Sequence, residues 1–285
     1  MAIEPLVSTD WLEAHREDPD LRVLDCTVDL RRSVEGGMNV ASGREAYLEG
    51  HIPGAGFADL PGELSDRTSS LRFMMPPAEQ FAETMSSYGV GEGTRVVLYD
   101  RATSAWAARI WWMLRAFGFD DAAVLDGGWK KWTIEGRAVS TEAPDVPRAE
   151  FVARPREGLI ASRDDVLRAI EGGGSCVVNA LSEEQHRGET TSAYGRRGHI
   201  PTSVNVPSGS LVDPSTNAYL PLEQLRARFE AVGATSEPVI TYCGGGIAAS
   251  NDAFVLTLLG VDRVAVYDGS LSEWAADPAL PLEVG

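Results

Sequence analysis

One cysteine of this chain stands in a sequence context that suits nucleophilic chemistry. Cys243 ends an apolar, β-branched run and is followed by three glycines and then by a helical pattern that opens with Ile247. Three consecutive glycines weaken any helix or strand, so they predict a loop that curls tightly and gathers its N–H groups into an anion-binding nest at a helix N-terminus. A cysteine at the mouth of this nest is favoured as the thiolate, which is the nucleophilic form. The predicted anion-binding loop comprises Gly244, Gly245, Gly246, Ile247, Ala248 and Ala249.

The other two cysteines lack such a context. Cys26 and Cys176 lie in or beside strand-like runs with no glycine-rich loop after them, so we interpret both as structural residues. The same interpretation is open for Cys243, since most unpaired cysteines behave as small hydrophobic side chains. The glycine triplet and the position at a strand end favour the nucleophile for Cys243.

Three chemistries use a loop of this kind, and two of them fit poorly. A phosphatase of the Cys-x5-Arg type needs an arginine six residues after the cysteine to clamp the phosphate, and Ala249 occupies that position. Dinucleotide binding is formally matched by G-x-G-x-x-A from Gly244 to Ala249, with Asp268 about 20 residues further on. Only 17 residues follow Asp268, too few for the remaining strand and helix units of a nucleotide-binding half. Sulfur transfer through the cysteine is the third chemistry.

The elements that must position this loop belong to a chain that repeats its own sequence. The motif GHIP at 50–53 recurs at 198–201, the run 95–100 recurs at 238–243, and the segment 116–132 recurs at 258–274. The matches keep their order at offsets of 148, 143 and 142 residues, which indicates a tandem duplication of one domain. The period is far above the roughly 20 to 50 residues of solenoid repeats. We expect a first domain at residues 1–142, a linker at 143–157 and a second domain at 158–285.

Each predicted domain alternates short strands with helices. β-Branched runs such as 96–99 and 239–242 alternate with helical stretches at 105–117, 221–232 and 248–259. This alternation predicts an α/β fold in which each domain is a parallel sheet with helices on both faces. Ligands of such sheets bind beyond the carboxyl ends of the strands, which is where Cys243 is expected to lie.

Composition and charge exclude several other classes of protein. With 44% hydrophobic and 24% charged residues, the 285-residue chain has the composition of a globular protein. Its 25 Lys and Arg against 42 Asp and Glu give a net charge of −17, which repels nucleic acids and anionic membranes, so we expect neither as a partner. The three cysteines form no disulfide pattern, the histidines show no zinc-type spacing, and no apolar stretch approaches the roughly 20 residues of a membrane span. We therefore expect a cytoplasmic protein without a metal site.

In combination, these motifs resemble the two-domain rhodanese family, which includes thiosulfate and 3-mercaptopyruvate sulfurtransferases. The resemblance rests on the duplicated domain, the two GHIP motifs, the runs VLDGGWKKW and VAVYDGSLSEW, and Cys243 at a strand end, and it extends from about Val7 to Glu283. It implies tandem rhodanese-like domains that move a sulfane sulfur from an anionic donor, 3-mercaptopyruvate or thiosulfate, to a thiophilic acceptor such as cyanide, a small thiol or a protein thiol. It also implies that the sulfur is carried as a persulfide on Cys243, with neither a metal nor an organic cofactor.

The resemblance further implies that only the second domain is catalytic. At the position equivalent to Cys243 the first domain has Asp100, whose carboxylate cannot attack sulfur, and the loop RATSAW that follows contains no glycine. The alternative function is a degenerate rhodanese-like module that only binds an anion or a partner. The intact Cys243 argues against this alternative.

Three arginines in a loop-like segment of the second domain could bind the negative charge of the donor. The segment 186–199 contains Arg187, Arg196 and Arg197. The resemblance assigns Arg187 to the family's substrate-binding arginine ahead of the second GHIP motif, whereas the family's second arginine has no clean counterpart. A solvated basic loop that pairs with nearby glutamates is the other interpretation.

The loop sequence leaves the choice of donor open. The uncharged run CGGGIA is closer to the pattern C-G-S-G-V-T of mercaptopyruvate-preferring relatives than to thiosulfate-preferring ones, which place Arg and Lys after the cysteine. Gly245 and Ala248 stand where that pattern has hydroxyl groups, so both side-chain donors are absent. The resemblance thus favours 3-mercaptopyruvate only modestly.

Overall fold

The computed structural model describes residues 3–32, 38–190, 194–236 and 238–285. Within these ranges the strands are β1 (Leu6–Val7), β2 (Leu21–Asp25), β3 (Val28–Arg32), β4 (Met38–Ser42), β5 (Ala55–Phe57), β6 (Arg95–Tyr99), β7 (Ala122–Leu125), β8 (Ile160–Ala161), β9 (Cys176–Asn179), β10 (Val204–Asn205), β11 (Val239–Tyr242) and β12 (Val264–Tyr267). The α-helices are α1 (Thr9–His15), α2 (Arg44–Glu49), α3 (Ala78–Ser87), α4 (Ala105–Ala116), α5 (Gly128–Ile134), α6 (Arg163–Ile170), α7 (Glu183–His186), α8 (Leu222–Glu230), α9 (Ile247–Leu258) and α10 (Ser270–Trp274), and Ser208–Ser210 forms a 3-10 helix.

Two five-stranded sheets with the same strand order form the frame of the molecule. The order is β1-β7-β6-β2-β5 in the first sheet and β8-β12-β11-β9-β10 in the second. All neighbouring strands in both sheets are parallel. Each strand of the second sheet therefore takes the place that its repeat holds in the first, with β11 and β6 central. The predicted α/β fold with a parallel sheet in each half is confirmed.

Alternate side chains of each central strand enter different hydrophobic clusters, because successive residues of a strand point to opposite faces. In β6, Val96 and Leu98 join the large cluster that also contains α4, whereas Val97 joins a smaller cluster with Leu12 of α1. In the second half, Ile240 of β11 likewise joins a separate small cluster. Both faces of each sheet are thus covered by helices, as the uninterrupted apolar strands predict.

Helices α4 and α9 pack against each other between the two sheets. Both are buried on nearly every side, and Trp111 of α4 meets Phe254 of α9 edge to face with ring centroids 4.9 Å apart. The large hydrophobic cluster accordingly contains side chains from both halves of the chain. The two domains share one continuous core.

Two segments lie outside the sheets. Strands β3 and β4 form an antiparallel hairpin in which Leu30 is opposite Val40. Residues 141–156 form neither helix nor strand, and the segment is hydrogen-bonded to the first domain, for example from Arg154 N to Phe117 O at 2.7 Å. This is the extended course predicted for the linker, while the exact domain boundaries stay a prediction. Among the helices described, none is long and apolar enough to cross a membrane.

Candidate active site

Cys243 directly follows β11 at the carboxyl end of the second sheet, and only 3% of its surface is exposed. The glycines after it turn the chain sharply into α9. Gly246 has φ of 79°, in the left-handed region that favours glycine, and a Cβ on Gly244 would lie 2.0 Å from Cζ of Tyr194. Backbone conformation and the close approach of an aromatic ring thus explain two of the three glycines. The first-turn N–H groups of α9, which have no acceptor within a helix, lie at the end of this turn.

The segment that follows β12 is hydrogen-bonded to the backbone of the loop that begins at Cys243. Ser270 Oγ accepts hydrogen bonds from the N–H groups of Cys243 and Gly246, at 3.1 and 3.2 Å. Leu271 N donates to Cys243 O at 3.1 Å, and Ser272 donates to Gly244 O from both its N–H and its hydroxyl group. The backbone of the loop is therefore fixed at both ends by one short stretch of chain.

A cavity of about 570 Å³ lies over Cys243 and is lined by both domains. The second domain contributes the loop, Leu181 and Tyr194, while the first domain contributes a largely apolar wall. Its lining residues from the first domain are Leu30, Val40, Ser70, Leu71, Arg72, Phe73, Thr103, Ala105 and Trp106. The facing pair Leu30 and Val40 shows that the hairpin of the first domain reaches the cavity over Cys243 of the second. In the described part of the chain, no group of three or more His, Cys, Asp or Glu side chains is arranged to hold a metal ion.

Several polar residues of this cavity were not among the predicted site residues, and Tyr194 and Arg72 are the largest of them. Burial, with a smaller contribution from the electrostatic interaction with Cys243, raises the pKa of Tyr194 to about 12, so its hydroxyl group stays protonated at neutral pH. Arg72 is a cation on the cavity wall, and the carbonyl oxygen of Arg72 lies 3.8 Å from where a Cβ of Gly245 would be. Tyr194 falls within the basic segment of the sequence, but no sequence signal points to Arg72.

The first domain has a matching nest of backbone N–H groups, and the side chain of Asp100 fills it. Asp100 Oδ1 accepts hydrogen bonds from Ala102 N and Ser104 N at 2.8 and 3.2 Å. Asp100 Oδ2 accepts from Trp106 N and Ala107 N at 2.9 and 3.0 Å. Four backbone donors thus surround a buried carboxylate where the second domain has a thiol. This arrangement supports a non-catalytic first domain.

The three predicted donor-binding arginines do not meet at Cys243. Arg187 is exposed and pairs with Glu189 at 2.8 Å and with Glu183 at 3.4 Å. Arg196 donates to the backbone carbonyl oxygens of residues 274, 275 and 277, and Arg197 is exposed. Residues 191–193 of the same predicted segment lie outside the described residues. The role of these arginines in donor binding stays a prediction.

A buried ion pair joins the two domains beside the loop. Arg109 Nη2 of α4 donates to Asp268 Oδ1 at 2.6 Å and to Phe73 O at 2.6 Å. Asp268 Oδ2 accepts from Met75 N at 2.7 Å. Arg109 is fully buried, and its Nη1 lies 3.1 Å from where a Cβ of Gly246 would be. No local sequence pattern indicates this pair, because the two residues are 159 positions apart.

Comparison with known proteins assigns this arrangement to a family. A model of the rhodanese-like domain matches residues 8–135 and again residues 162–277. This chain belongs to the rhodanese family. The two rhodanese matches contain the Asp100 nest and the Cys243 loop, so both halves descend from the same domain and only the second retains the cysteine. The predicted resemblance is confirmed.

Rhodanese relatives cover essentially the whole chain. The 3-mercaptopyruvate sulfurtransferase of Escherichia coli K12 is 34% identical over 286 residues, which are 97% of each protein. The thiosulfate sulfurtransferase of Bos taurus is 35% identical over 279 residues, covering 94% of this chain and 91% of that protein. The crystal structure of SseA from Escherichia coli, a 3-mercaptopyruvate enzyme, superposes with a TM-score of 0.83 at 32% identity and covers 94% of this chain and 99% of that structure.

Proposed function

We propose that Cys243 is the nucleophile of this chain, a sulfurtransferase, and that it carries the transferred sulfur as a persulfide. A bond forms between Cys243 Sγ and the donor sulfur while the donor's own bond to that sulfur breaks, and the rest of the donor leaves with the electron pair. Thiosulfate would leave sulfite; 3-mercaptopyruvate would leave the enolate of pyruvate, which takes up a proton. An acceptor nucleophile then attacks the outer sulfur and restores the Cys243 thiolate.

The observation that carries this proposal is the position of Cys243 between an amide-rich loop and a cavity. The N–H groups from Gly244 to Ala249, apart from that of Gly246, which donates to Ser270 Oγ, would stabilise both the thiolate and the persulfide anion. Fixed backbone donors at a buried site need no reorganisation during the reaction. Support comes from the first domain, where the matching loop binds the carboxylate of Asp100 through four N–H groups.

The size and surface of the cavity favour an organic donor such as 3-mercaptopyruvate. A volume of about 570 Å³ is in the range of sites for small organic molecules. Its wall is mainly apolar, from Leu30, Val40, Phe73 and Trp106, whereas thiosulfate has no apolar part to place there. The negative charge of the donor would be met by the loop amides, by Arg72 on the wall and, as predicted, by Arg187.

The acceptor and the compartment follow from the chemistry of thiols. A small thiol or a protein thiol is the acceptor we propose, because a thiolate readily attacks the outer sulfur of a persulfide. We also propose a cytoplasmic location, since the three cysteines are not joined in disulfides, as is usual for proteins of reducing compartments.

A comparison of Cys243→Ser with the wild type tests the proposal. Each protein is incubated with thiosulfate or 3-mercaptopyruvate and then with cyanide, and the thiocyanate is measured. Intact mass before cyanide should show one added sulfur atom in the wild type and none in Cys243→Ser.

Cys176→Ser is the matched control, because it removes a partly buried thiol from the same domain. This variant should keep both the sulfur adduct and the activity. A wild type that forms no adduct with either donor, or a Cys243→Ser variant that still forms thiocyanate at the wild-type rate, would contradict the proposal.

A further inference from the structure

One residue beneath the catalytic loop has a backbone conformation that is unfavourable for its type. Ser270 is fully buried and has φ of 48°, in the left-handed region. A residue with a Cβ rarely adopts this region, and such strained positions concentrate at functional sites. The strain is retained in the centre of a well-packed domain, so the side chain of Ser270 must contribute something that glycine cannot.

The first domain shows what the position looks like without that side chain. Asp126-Gly127-Gly128 is the repeat of Asp268-Gly269-Ser270, and Gly128 has φ of 50°. A Cβ on Gly128 would lie 2.6 Å from Asp100 O. The two domains thus share the left-handed conformation at the third residue of this segment, although the residue before it differs, with φ of 82° at Gly127 and −64° at Gly269. The non-catalytic domain has glycine there, and the domain that carries Cys243 has serine.

The hydroxyl group of Ser270 joins three parts of the second domain. It donates to Tyr267 O at the end of β12, at 2.7 Å. It accepts from the N–H groups of Cys243 and Gly246, which begin and end the loop, at 3.1 and 3.2 Å. One oxygen atom therefore fixes both ends of the loop to the neighbouring strand.

The loop of the first domain is organised in another way. There the carboxylate of Asp100 binds four N–H groups and holds its own loop closed. A thiol cannot do this, because sulfur is a weak hydrogen-bond acceptor until it is ionised. The loop of the second domain therefore needs a hydrogen-bonding group that does not occupy the nest. The hydroxyl group of Ser270 is such a group.

We propose that Ser270 is a positioning residue for sulfur transfer. Ser270 does not touch the donor. Its hydroxyl group accepts hydrogen bonds from the N–H groups of Cys243 and Gly246 and so fixes the backbone of the loop. The remaining amides of the loop then keep the geometry that binds the persulfide anion. The inference rests on the proposed role of Cys243. It adds a residue that acts through the loop on the rate of persulfide formation and on the lifetime of the persulfide.

Two substitutions separate the hydroxyl group from the backbone strain. Ser270→Gly restores the residue of the first domain and removes both, while Ser270→Ala removes the hydroxyl group and keeps the strain. Single-turnover formation of the Cys243 persulfide is followed by intact mass with thiosulfate and with 3-mercaptopyruvate, together with steady-state KM and the melting temperature. We expect both variants to form the persulfide about 10- to 100-fold more slowly with either donor, to keep KM within about twofold, and to lose the persulfide sooner when no acceptor is present.

Ser203→Ala is the matched control. It removes another buried hydroxyl group of the second domain, one that bonds Ile200 O and the hydroxyl group of Tyr242. This variant should lower the melting temperature without slowing persulfide formation. Ser270→Ala keeps the Cβ and the backbone conformation, so it provides a test even if Ser270→Gly fails to fold: a Ser270→Ala variant that forms the persulfide at the wild-type rate would contradict the proposal.

Three results would overturn the proposal: persulfide formation by Ser270→Gly at a rate within twofold of the wild type, an equal loss in Ser203→Ala, or a loss confined to Ser270→Ala. The last result would assign the effect to strain and not to the hydroxyl group. Absence of the Cys243 persulfide in the wild type would instead contradict the proposed function, so the two failures are distinguishable.

Discussion

The same loop position carries a thiol in one half of the molecule and a carboxylate in the other. Cys243 and Asp100 both lie beyond a central strand, and both are almost fully buried. The carboxyl group of Asp100 accepts hydrogen bonds from four backbone N–H groups, whereas we propose that the corresponding nest at Cys243 binds a sulfur anion. The residue at this position therefore decides whether the nest is filled by its own side chain.

A second buried carboxyl group, Asp252 in α9, makes stability depend on pH. Neither of its oxygens has a hydrogen-bond partner among the described residues, and its repeat in the first domain is the apolar Ile110. Burial raises the pKa of Asp252 well above its ordinary value, so the folded protein holds a proton that the unfolded chain releases above pH of about 4. The contribution of Asp252 to the free energy of unfolding thus falls as pH rises, by up to about 1.4 kcal/mol per pH unit, until the raised pKa is passed.

Asp252→Asn should therefore stabilise the protein more at pH 8 than at pH 5. Urea denaturation of wild type and variant at the two pH values measures this difference. Asp165→Asn is the control, because the pKa of Asp165 is shifted in the opposite direction: hydrogen bonds from Ser162 lower it. Its effect should be the same at both pH values, since Asp165 is ionised at both in the folded and the unfolded state. An Asp252→Asn effect that does not change with pH would show that Asp252 is not protonated in the fold.

At the scale of elements, the sequence predicts what depends on local pattern. Helices α4 and α9 begin and end within one residue of the predicted 105–117 and 248–259, because apolar runs of helical length and the glycine at 246 are local signals. The Cys243 loop is likewise predicted from a local signal, the three glycines that follow the cysteine. The hairpin of β3 and β4, by contrast, reaches a cysteine 200 residues later in the chain, and no pattern in a single sequence encodes that contact.

The segment around α7 makes ion pairs that are local in the sequence. If the segment is a solvated basic loop, its arginines are expected to pair with Glu183, Glu184 and Glu189, and Arg187 makes two of these pairs. Arg187 pairs with Glu183 and Glu189, all three being exposed. Exposed ion pairs of this kind contribute only about 0 to 1 kcal/mol, so the guanidinium group can exchange these partners for an anionic donor at little cost.

Arg187→Ala should accordingly raise KM for 3-mercaptopyruvate about five- to tenfold and leave kcat nearly unchanged. Arg168→Ala is the matched control, because Arg168 is an exposed arginine of the same domain that pairs with Asp165. Equal effects of the two substitutions would assign Arg187 to the solvated surface. If Arg72→Ala raised KM and Arg187→Ala did not, the arginine that binds the donor would be Arg72 of the first domain.

At the scale of the whole molecule, the shared core predicts that the two domains unfold as one unit. The large hydrophobic cluster crosses from one sheet to the other, and the hairpin and the Phe73 segment of the first domain cover the Cys243 loop of the second. The cavity exists only where both domains are present. The first domain thus has a definite task although its own nest is filled: it forms one wall of the site.

The coupling between the two domains can be measured as the change in the free energy of unfolding when the Arg109–Asp268 pair is broken. Both side chains are nearly inaccessible to solvent, and Arg109 also binds Phe73 O on the cavity wall. Removing one partner of a buried ion pair leaves an uncompensated buried charge, so Arg109→Met should lower the free energy of unfolding by about 3 to 5 kcal/mol. The double variant Arg109→Met/Asp268→Asn should lose less than the sum of the single losses. Arg156→Met, which breaks a surface pair with Asp120, should cost no more than about 1 kcal/mol.

Denaturation followed by both tryptophan fluorescence and circular dichroism tests the coupling. The wild type and Arg156→Met should unfold in a single transition that coincides for the two probes, since no boundary interrupts the core. Arg109→Met should lose sulfurtransferase activity at lower urea concentration than the wild type, because the Phe73 segment and the loop at Gly246 are held by the same guanidinium group. Two separate transitions in the wild type, or an Arg109→Met loss as small as that of Arg156→Met, would show that the domains fold independently and that the first domain only rests against the site.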